Sequence, residues 1–221
     1  MCGRFTLAVP AEQVAAQFQL PATPELAPRY NIAPTQQVAA VRAAEVGREL
    51  SMFRWGLVPS WAKDPSVGAR MINARAETAA EKPAFRTALR QRRCLIPADG
   101  FYEWQAREGG KQPFHIRLAD GGLFALAGLY EHWKAPDGAW LSTCTILTTA
   151  ANALMRPLHD RMPVILAPEH YALWLDPGLR DAGPLQELLA PFPPDRMVAT
   201  PVSKAVNRAT NEGPELLAPA G

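Results

Sequence analysis

The segment LSTCTILT, residues 141–148, decides the fold class, because it is rich in the β-branched and apolar residues that strands favour. Similar β-rich or alternating patterns predict strands at residues 36–42, 50–55, 94–96, 113–118, 123–130, 162–167 and 197–202. Cys2 would precede or join a first strand at residues 3–9. So many short strands favour an antiparallel sheet that is partly barrel-like.

Proline is abundant, with 22 of 221 residues, and breaks the chain into short elements. Short helices are predicted at residues 10–20, 83–91, 149–156, 168–175 and 184–190, and Pro10 would be the first helical residue. The segments GFYEW (100–104) and GLYEHW (128–133) are weakly similar, and we interpret them as paired strand ends. No linker divides the chain. We therefore expect an α+β fold: one compact domain, residues 1–221, built on antiparallel, partly barrel-like β-sheet with several short helices.

Composition and the cysteines exclude several classes of protein. Apolar residues make up 48% and charged residues 20%, with no long apolar run and no signal-peptide pattern at residues 1–5. We expect a soluble, cytoplasmic monomer, associated with the nucleoid if the source is bacterial. The chain has three cysteines, Cys2, Cys94 and Cys144, and no C-x-x-C pair. No histidine lies near a cysteine at the spacing of zinc ligands. Free thiols are expected, with no metal and no cofactor.

Cys2 has a chemistry that internal cysteines lack. A small second residue normally allows the initiator methionine to be removed, which would leave a free α-amine beside the thiol. The amine has a pKa near 8, so it can attack an aldehyde as an imine-forming nucleophile. The thiol can then close a five-membered thiazolidine on the same carbon. The alternative is that Cys2 is a small apolar residue of the first strand.

Three polar segments are candidates for the rest of a site. In an extended chain Asn73, Arg75 and Glu77 share one face and could hold a sugar oxygen and a phosphate. Glu103 stands among aromatic residues, where a raised pKa would suit a general acid or base near neutral pH. Beyond Pro157, His159 could relay protons and Arg161 could bind phosphate. Each segment has an alternative interpretation. Residues 73–77 could form the solvated face of a strand. Glu103 could stand at a strand end among packed aromatic residues, and His159 could be a loop histidine paired with a neighbour.

Cations and rings are interleaved in RWGLVPSWAK, residues 54–63, where Trp55 and Trp61 could stack on unpaired bases. Arg86, Arg90, Arg92 and Arg93 form a denser cluster, and residues 1–110 carry a net charge of +4 against −2 for the remainder. The alternatives are core packing for the tryptophans and a solvated helix face for the arginines. His115, which alternates with apolar neighbours, is expected on an exposed strand face.

Several motifs, in order along nearly the whole chain, resemble those of the SRAP family, the SOS-response-associated peptidases that shield abasic sites in DNA. They are MCGRF (1–5), YNIAPT (30–35), RWGLVPSW (54–61), NARAE (73–77), CLIPADGFYEW (94–104), TTA (148–150), HDRMP (159–163), VN (206–207) and NEGPE (211–215).

The resemblance implies a covalent mechanism on single-stranded DNA and on junctions between single-stranded and double-stranded DNA that contain abasic sites. Cys2, exposed by self-removal of Met1, would trap the deoxyribose aldehyde as a thiazolidine, with a lyase-like strand cleavage as a side activity. Asn73 would hydrogen-bond around that ring, Glu103 would assist ring opening and proton transfer, and His159 would assist imine chemistry and reversal. The DNA contacts implied are phosphate ligation by Arg4, Arg75 and Arg161 and base contacts by Pro34, Trp55 and Trp61. We assign no role to Lys204.

Two other functions remain open from the residues alone. An N-terminal-nucleophile amidohydrolase or autoprocessing peptidase would use the same Cys2 amine as a base while the thiol attacks a carbonyl carbon. A non-catalytic module for single-stranded DNA would need only the cations and rings.

Overall fold

The structure, a computed structural model, describes residues 2–181 and 183–220. Its strands are β1 (Phe5–Leu7), β2 (Arg29–Ile32), β3 (Gln37–Ala43), β4 (Arg48–Trp55), β5 (Asn73–Arg75), β6 (Arg93–Ala98), β7 (Gly100–Arg107), β8 (Gly110–Leu118), β9 (Phe124–Lys134), β10 (Trp140–Ala150), β11 (Arg161–Pro163), β12 (Ile165–Leu166) and β13 (Met197–Pro201). The α-helices are α1 (Ala11–Phe18), α2 (Ala76–Ala79), α3 (Arg86–Gln91) and α4 (Tyr171–Leu175). Short 3-10 segments occupy Pro65–Arg70, Pro168–His170, Gly183–Leu185, Glu187–Leu189, Pro194–Arg196, Lys204–Asn207 and Pro214–Leu217.

Five strands close into a barrel in the order β10-β4-β3-β6-β9, because β9 also pairs with β10. Four of the five pairings are antiparallel, and β4 runs parallel to β10, with Arg54 opposite Thr143. Closure removes the free strand edges within the ring. Strands β5 and β11 extend from β10, and β12 extends from β9. The predicted α+β fold with a partly barrel-like sheet is confirmed.

A second, open antiparallel sheet has the order β13-β8-β7-β1-β2. Within it β1 lies against β7, with Phe5 opposite Phe101, and the backbone N–H of Tyr102 donates to the Arg4 carbonyl at 2.9 Å. The start of the chain is thereby held beside the strand that carries Glu103. Phe5 also packs edge to face against Trp55, a residue of the barrel, with 5.2 Å between the ring centroids. This contact joins the two sheets in one apolar core.

Burial of aliphatic and aromatic side chains from both sheets forms a continuous core. Its largest fully buried members include Trp55, Trp174, Tyr171, Phe53 and Leu95. Burying each such side chain contributes roughly 1.5–3 kcal/mol. None of the helices in the described part of the chain is long and apolar enough to cross a membrane.

Local sequence patterns gave several wrong element assignments. Residues 149–156 are not a helix, since β10 continues to Ala150, where it pairs with β11, and turns follow. Residues 184–190 form 3-10 turns rather than an α-helix, and Pro10 is the N-cap of α1 rather than its first residue. The segments at 100–104 and 128–133 do not pair, because β7 and β9 belong to different sheets.

The prediction of an exposed His115 is also wrong. His115 is 7% exposed, with its ring 5.0 Å from that of Tyr102. Gly100 makes room for it, since a Cβ there would lie 2.0 Å from Nε2 of His115. Burial lowers the pKa of His115 to about 4.

Candidate active site

A pocket of about 560 Å³ opens at the end of the open sheet. The basic groups in its lining come from Arg4, Lys111 and His159. The lining also includes the carboxylate of Glu103, the indole of Trp104 and the amide of Asn207. Three of the residues expected at the site, Arg4, Glu103 and His159, therefore meet in one cavity although they are far apart in sequence.

Cys2 is fully buried just before β1. The Asn73 side-chain amide donates to the Cys2 carbonyl at 2.8 Å, which ties β5 to the start of the chain. Burial, and secondarily the charge of Glu103, raise the pKa of the Cys2 thiol well above its ordinary value. The thiol is therefore protonated at neutral pH, and neither Cys2 nor Asn73 is among the residues that line the pocket.

Asp99 anchors the strand that follows Cys2. Its carboxylate accepts hydrogen bonds from the Thr6 hydroxyl, from the Ala8 N–H at 2.6 Å and from the Val9 N–H at 3.1 Å. The Asp99 N–H in turn donates to the Thr6 carbonyl at 3.1 Å. Charge-assisted bonds of this kind are about twice as strong as neutral ones. They fix β1, and with it the approach of Cys2 and Arg4 to the pocket.

Glu103 is only 3% exposed on β7. Burial raises the pKa of its carboxyl group, and the nearby His159 partly offsets that effect. A raised pKa moves a carboxyl group towards the range in which it can act as a general acid or base.

His159 lies in the loop between β10 and β11, half-buried at the pocket wall. Its Nδ1 is 3.0 Å from the Arg161 N–H and 2.8 Å from a carboxylate oxygen of Asp160. The two contacts need opposite protonation of Nδ1. Because Asp160 is 86% exposed and its charge is screened by water, we assign Nδ1 as the acceptor from Arg161. With Nδ1 as the acceptor, Nε2 is the ring nitrogen that carries a proton and faces away from Arg161 N–H as a donor.

Arg161 and Glu77 form a two-pronged ion pair, with N···O distances of 2.6 and 2.7 Å. Arg161 also donates to the Thr148 carbonyl at 2.6 Å. The hydrogen bond from Arg161 lowers the pKa of Glu77. The pair joins β11 to α2 beside Asn73, while Arg75 is exposed to solvent. A phosphate would meet Arg75 unobstructed, but would share Arg161 with Glu77.

Arg4 is held in place by backbone and side-chain oxygens. Its guanidinium donates to Asn31 Oδ1 at 2.6 Å and to the Val206 carbonyl at 2.8 Å, and it lies over the Trp104 ring at 5.7 Å. The Asn31 amide is fixed by the carbonyls of Arg208 and Asn211, each at 2.9 Å. The cation at the pocket wall is thus preorganised.

The two tryptophans of the RWGLVPSW motif have different environments. Trp55 is fully buried, and its indole N–H donates to the Ile72 carbonyl at 2.8 Å. The expected base contact by Trp55 is therefore wrong, since no face of its ring reaches solvent. Trp61 is 63% exposed but does not line the pocket. Pro34 is partly exposed, also outside the pocket lining.

The arginine cluster is not a uniform surface. Arg93 is buried and donates to the carbonyls of Leu89 and Trp174 at 2.7 and 2.5 Å, so its role is structural. Arg92 pairs with Glu131 at 2.8 Å. Arg86 and Arg90 are exposed on α3.

Three pocket residues were not among the expected site residues. Trp104 and Asn207 are joined by a hydrogen bond of 2.7 Å from the indole N–H to the side-chain oxygen. Both belong to motifs quoted above, which was a usable signal. Lys111 lies on β8 and belongs to none of those motifs, so the sequence offered no signal for it.

In residues 2–181 and 183–220, no group of three or more His, Cys, Asp and Glu side chains comes together as a set of metal ligands. Cys2, Cys94 and Cys144 are all buried free thiols.

Comparison with known proteins places the chain in a family. The model of the SOS response associated peptidase (SRAP) family matches residues 1–209. The chain belongs to the SRAP family.

Similar proteins cover nearly the full length of the chain. The abasic site processing protein YoqW of Bacillus subtilis (strain 168) is 48% identical over 221 residues, covering 98% of this chain and 99% of that protein. The abasic site processing protein YedK of Escherichia coli (strain K12) is 32% identical, with 99% and 100% covered. A crystal structure of a protein from Bacteroides thetaiotaomicron has a TM-score of 0.88 at 27% identity, covering 99% of this chain and 100% of that one.

Proposed function

We propose that this SRAP protein processes abasic sites in single-stranded DNA, by trapping them as a covalent thiazolidine on Cys2. The observation that carries the proposal is the position of Cys2. Its carbonyl accepts a hydrogen bond from the Asn73 amide at 2.8 Å. Cys2 lies three residues before Phe5, which pairs with Phe101 on the strand that carries the pocket residue Glu103. Family membership and the names of the relatives point to the same substrate.

The proposed reaction begins with loss of Met1, which lies outside the described residues. The freed Cys2 nitrogen attacks the C1′ aldehyde of the ring-opened deoxyribose and expels water, which leaves an imine. The thiol sulfur then bonds to the same carbon while its proton passes to the imine nitrogen. The balance is aldehyde plus aminothiol to thiazolidine plus water, with no oxidant or reductant. The order follows from burial, because a thiol with a raised pKa is the weaker first nucleophile.

Glu103 and His159 would move the protons in this sequence. The raised pKa of Glu103 suits it to protonate the departing water and to pass the thiol proton on to the imine nitrogen. His159, with Nδ1 accepting from the Arg161 backbone, can present Nε2–H to an oxygen or nitrogen of the opened sugar. Asn73 would keep the Cys2 backbone oriented during ring closure. Loss of a C2′ proton from the imine and cleavage of the C3′–O bond would give the lyase-like strand break.

The proposed DNA contacts are Arg4 of the pocket lining together with cations and rings outside that lining. Arg4 and Arg75 would bind phosphates, as would Arg161 in exchange with Glu77. Trp61 and Pro34 would contact bases of the flanking strand, including those at a junction with double-stranded DNA. Self-removal of Met1, a monomeric state and a cytoplasmic, nucleoid-associated location complete the proposal.

The deciding experiment offers an oligonucleotide with one abasic site and looks for an adduct that survives heat and denaturant. Cys2→Ala should abolish the adduct while salt-sensitive binding of single-stranded DNA persists. Inserting an alanine between Met1 and Cys2 should abolish it too, because the Cys2 nitrogen then remains an amide. Intact-mass measurement of the purified protein should show Met1 removed.

Each alternative predicts a different result. Amide turnover without an adduct would favour the N-terminal-nucleophile hydrolase. If the wild-type protein binds single-stranded DNA but gives no adduct, the non-catalytic module is correct. An adduct of unchanged mass from the insertion variant would refute the role of the Cys2 amine.

A further inference from the structure

The tip of the β7–β8 hairpin has a small depression next to the active-site pocket. It measures about 130 Å³ and is walled by Arg107, Lys111 and Lys204, with Glu108 as its acidic member and Gly109, Gly110 and Gln112 completing the lining. Lys111 lines both this depression and the active-site pocket, so the two lie on either side of one side chain. We call Arg107, Lys111 and Lys204 the hairpin cations.

The walls of this depression are held by the same elements that hold the pocket. Lys204 begins the 3-10 segment Lys204–Asn207, whose last residue accepts the Trp104 indole N–H at 2.7 Å. Arg107 is steered by a 2.7 Å hydrogen bond to Gln105 and by the Phe114 ring, 5.5 Å from its guanidinium carbon. Gln105 donates in turn to the Pro157 carbonyl at 3.2 Å, in the loop that carries His159. The hairpin cations are thus placed relative to the catalytic residues.

The chemistry of the depression fits a phosphodiester backbone and not a base. Its lining is cationic and contains no aromatic side chain, whereas a base would need a ring on which to stack. Lysine and arginine that project from a fixed wall into solvent can bind successive phosphates without reading sequence.

We propose that the hairpin cations bind the phosphates of one strand flank as it leaves the active-site pocket. The inference rests on the proposed function, because it takes the abasic sugar to lie in that pocket. The strand then runs past Lys111 at the shared wall and along Arg107 and Lys204. The opposite flank would lie on the side of Arg75 and Arg161.

The test measures reversible binding, in a Cys2→Ala background, as a function of salt. Each phosphate contact on single-stranded DNA contributes about 0.7 to the slope of log K against log salt concentration. Lys111→Gln with Lys204→Gln should flatten the slope by about 1.4, and adding Arg107→Gln should flatten it by about 0.7 more. Glu108→Gln should tighten binding, since it removes the carboxylate from the depression.

The matched control neutralises two exposed arginines elsewhere, Arg180→Gln with Arg196→Gln. Arg196 lies opposite Ala119, about 26 Å along β8 from Lys111 at 3.3 Å per residue. The control should leave the slope unchanged. Oligonucleotides with nucleotides on only one side of the abasic site should show the Lys111/Lys204 effect for one side and not for the other.

The proposal is overturned if the Lys111/Lys204 variant keeps the wild-type slope, if the control flattens it equally, or if both one-sided oligonucleotides respond alike. These outcomes are separate from the failure of the proposed function. That failure would appear as a wild-type protein, with Cys2 intact, that gives no covalent adduct at any salt concentration.

Discussion

The barrel and the open sheet treat their buried charges in different ways. In the barrel, Arg93 is satisfied by backbone carbonyls and Glu131 by Arg92 at 2.8 Å. In the open sheet, burial raises the pKa of Glu103 and lowers that of His115, so each is held toward its neutral form. The contacts in the barrel therefore stabilise the fold, while the open sheet holds Glu103 and His115 toward their neutral forms at some cost in stability. We therefore expect substitution of Glu103 in the open sheet to reduce activity and substitution of core residues in the barrel to reduce stability.

Glu103→Gln should produce the largest effect and separate the two properties most clearly. Removing a general acid or base slows a reaction by about 100- to 10,000-fold. We expect the rate of adduct formation on abasic DNA to fall by that factor while non-covalent binding is retained. Single-turnover kinetics on denaturing gels measure it. A rate within threefold of wild type would remove Glu103 from the mechanism.

The same substitution should stabilise the protein at neutral pH. The folded-state pKa of Glu103 is above its ordinary value of 4.5, so the folded protein binds more protons than the unfolded one in the window between the two values. Stability from this group is full below pH 4.5 and is lost as pH rises through the raised pKa. Glu103→Gln should raise Tm at pH 8 relative to wild type, with little change at pH 4. Equal shifts at both pH values would contradict this linkage.

Leu95→Ala in the barrel should do the reverse. Leu95 is fully buried on β6, opposite Val41 and Ala127 of the neighbouring strands. Truncation of a buried leucine costs about 2–5 kcal/mol. Urea unfolding should show that loss, and adduct formation well below the midpoint should stay near the wild-type rate. Val46→Ala, at a position 89% exposed, is the matched control and should change stability by less than about 0.5 kcal/mol.

Strands were the more predictable part of the fold, because their signals are local. Residues 141–148 lie within β10, and residues 113–118 lie within β8, as the patterns indicated. The closure of the barrel through β9 and β10 and the parallel pairing of β4 with β10 depend on contacts between distant segments. No periodicity within one segment encodes them. The same limit explains the helix wrongly predicted at residues 149–156, where pairing with β11 extends the strand.

For the candidate site, the sequence predicts which side chains can carry out chemistry better than it predicts which side chains are exposed. The chemistry of Glu103 and His159 marks both as candidates in the sequence, and the structure brings both to one pocket. Trp55 and Trp61 look equivalent in one motif, yet one is fully buried and the other is 63% exposed. Lys111 carried no local pattern, since its position at the pocket depends on the pairing of β8 with β7.

His115 should make the open sheet sensitive to mild acid. Its pKa is lowered from 6.5 to about 4, so the unfolded state binds the proton first and stability is full above pH 6.5. It is lost as pH falls towards 4, by up to about 2–3 kcal/mol from this group. His115→Gln should therefore lose less stability than wild type between pH 7 and pH 4.5, whatever its absolute stability. Chemical denaturation at the two pH values measures the difference, and parallel losses would rule out His115 as the source.

Trp61→Ala should have the smallest effect on DNA processing and should not change the stability of either sheet. The indole is 63% exposed and lies next to Ala62, whose carbonyl accepts a 2.7 Å hydrogen bond from the Trp133 indole. The fold fixes the loop through the backbone of Ala62, so Tm should be unchanged. Stacking on one base is worth about 1–3 kcal/mol, and an outlying contact should be near the lower limit, about fivefold in Kd. Fluorescence anisotropy on single-stranded DNA measures this, with Trp61→Phe retaining most of the affinity and Trp61→Leu losing it. Equal affinity for the phenylalanine and leucine variants would show that the contact is apolar rather than stacked, and an unchanged Kd for alanine would remove Trp61 from the DNA surface.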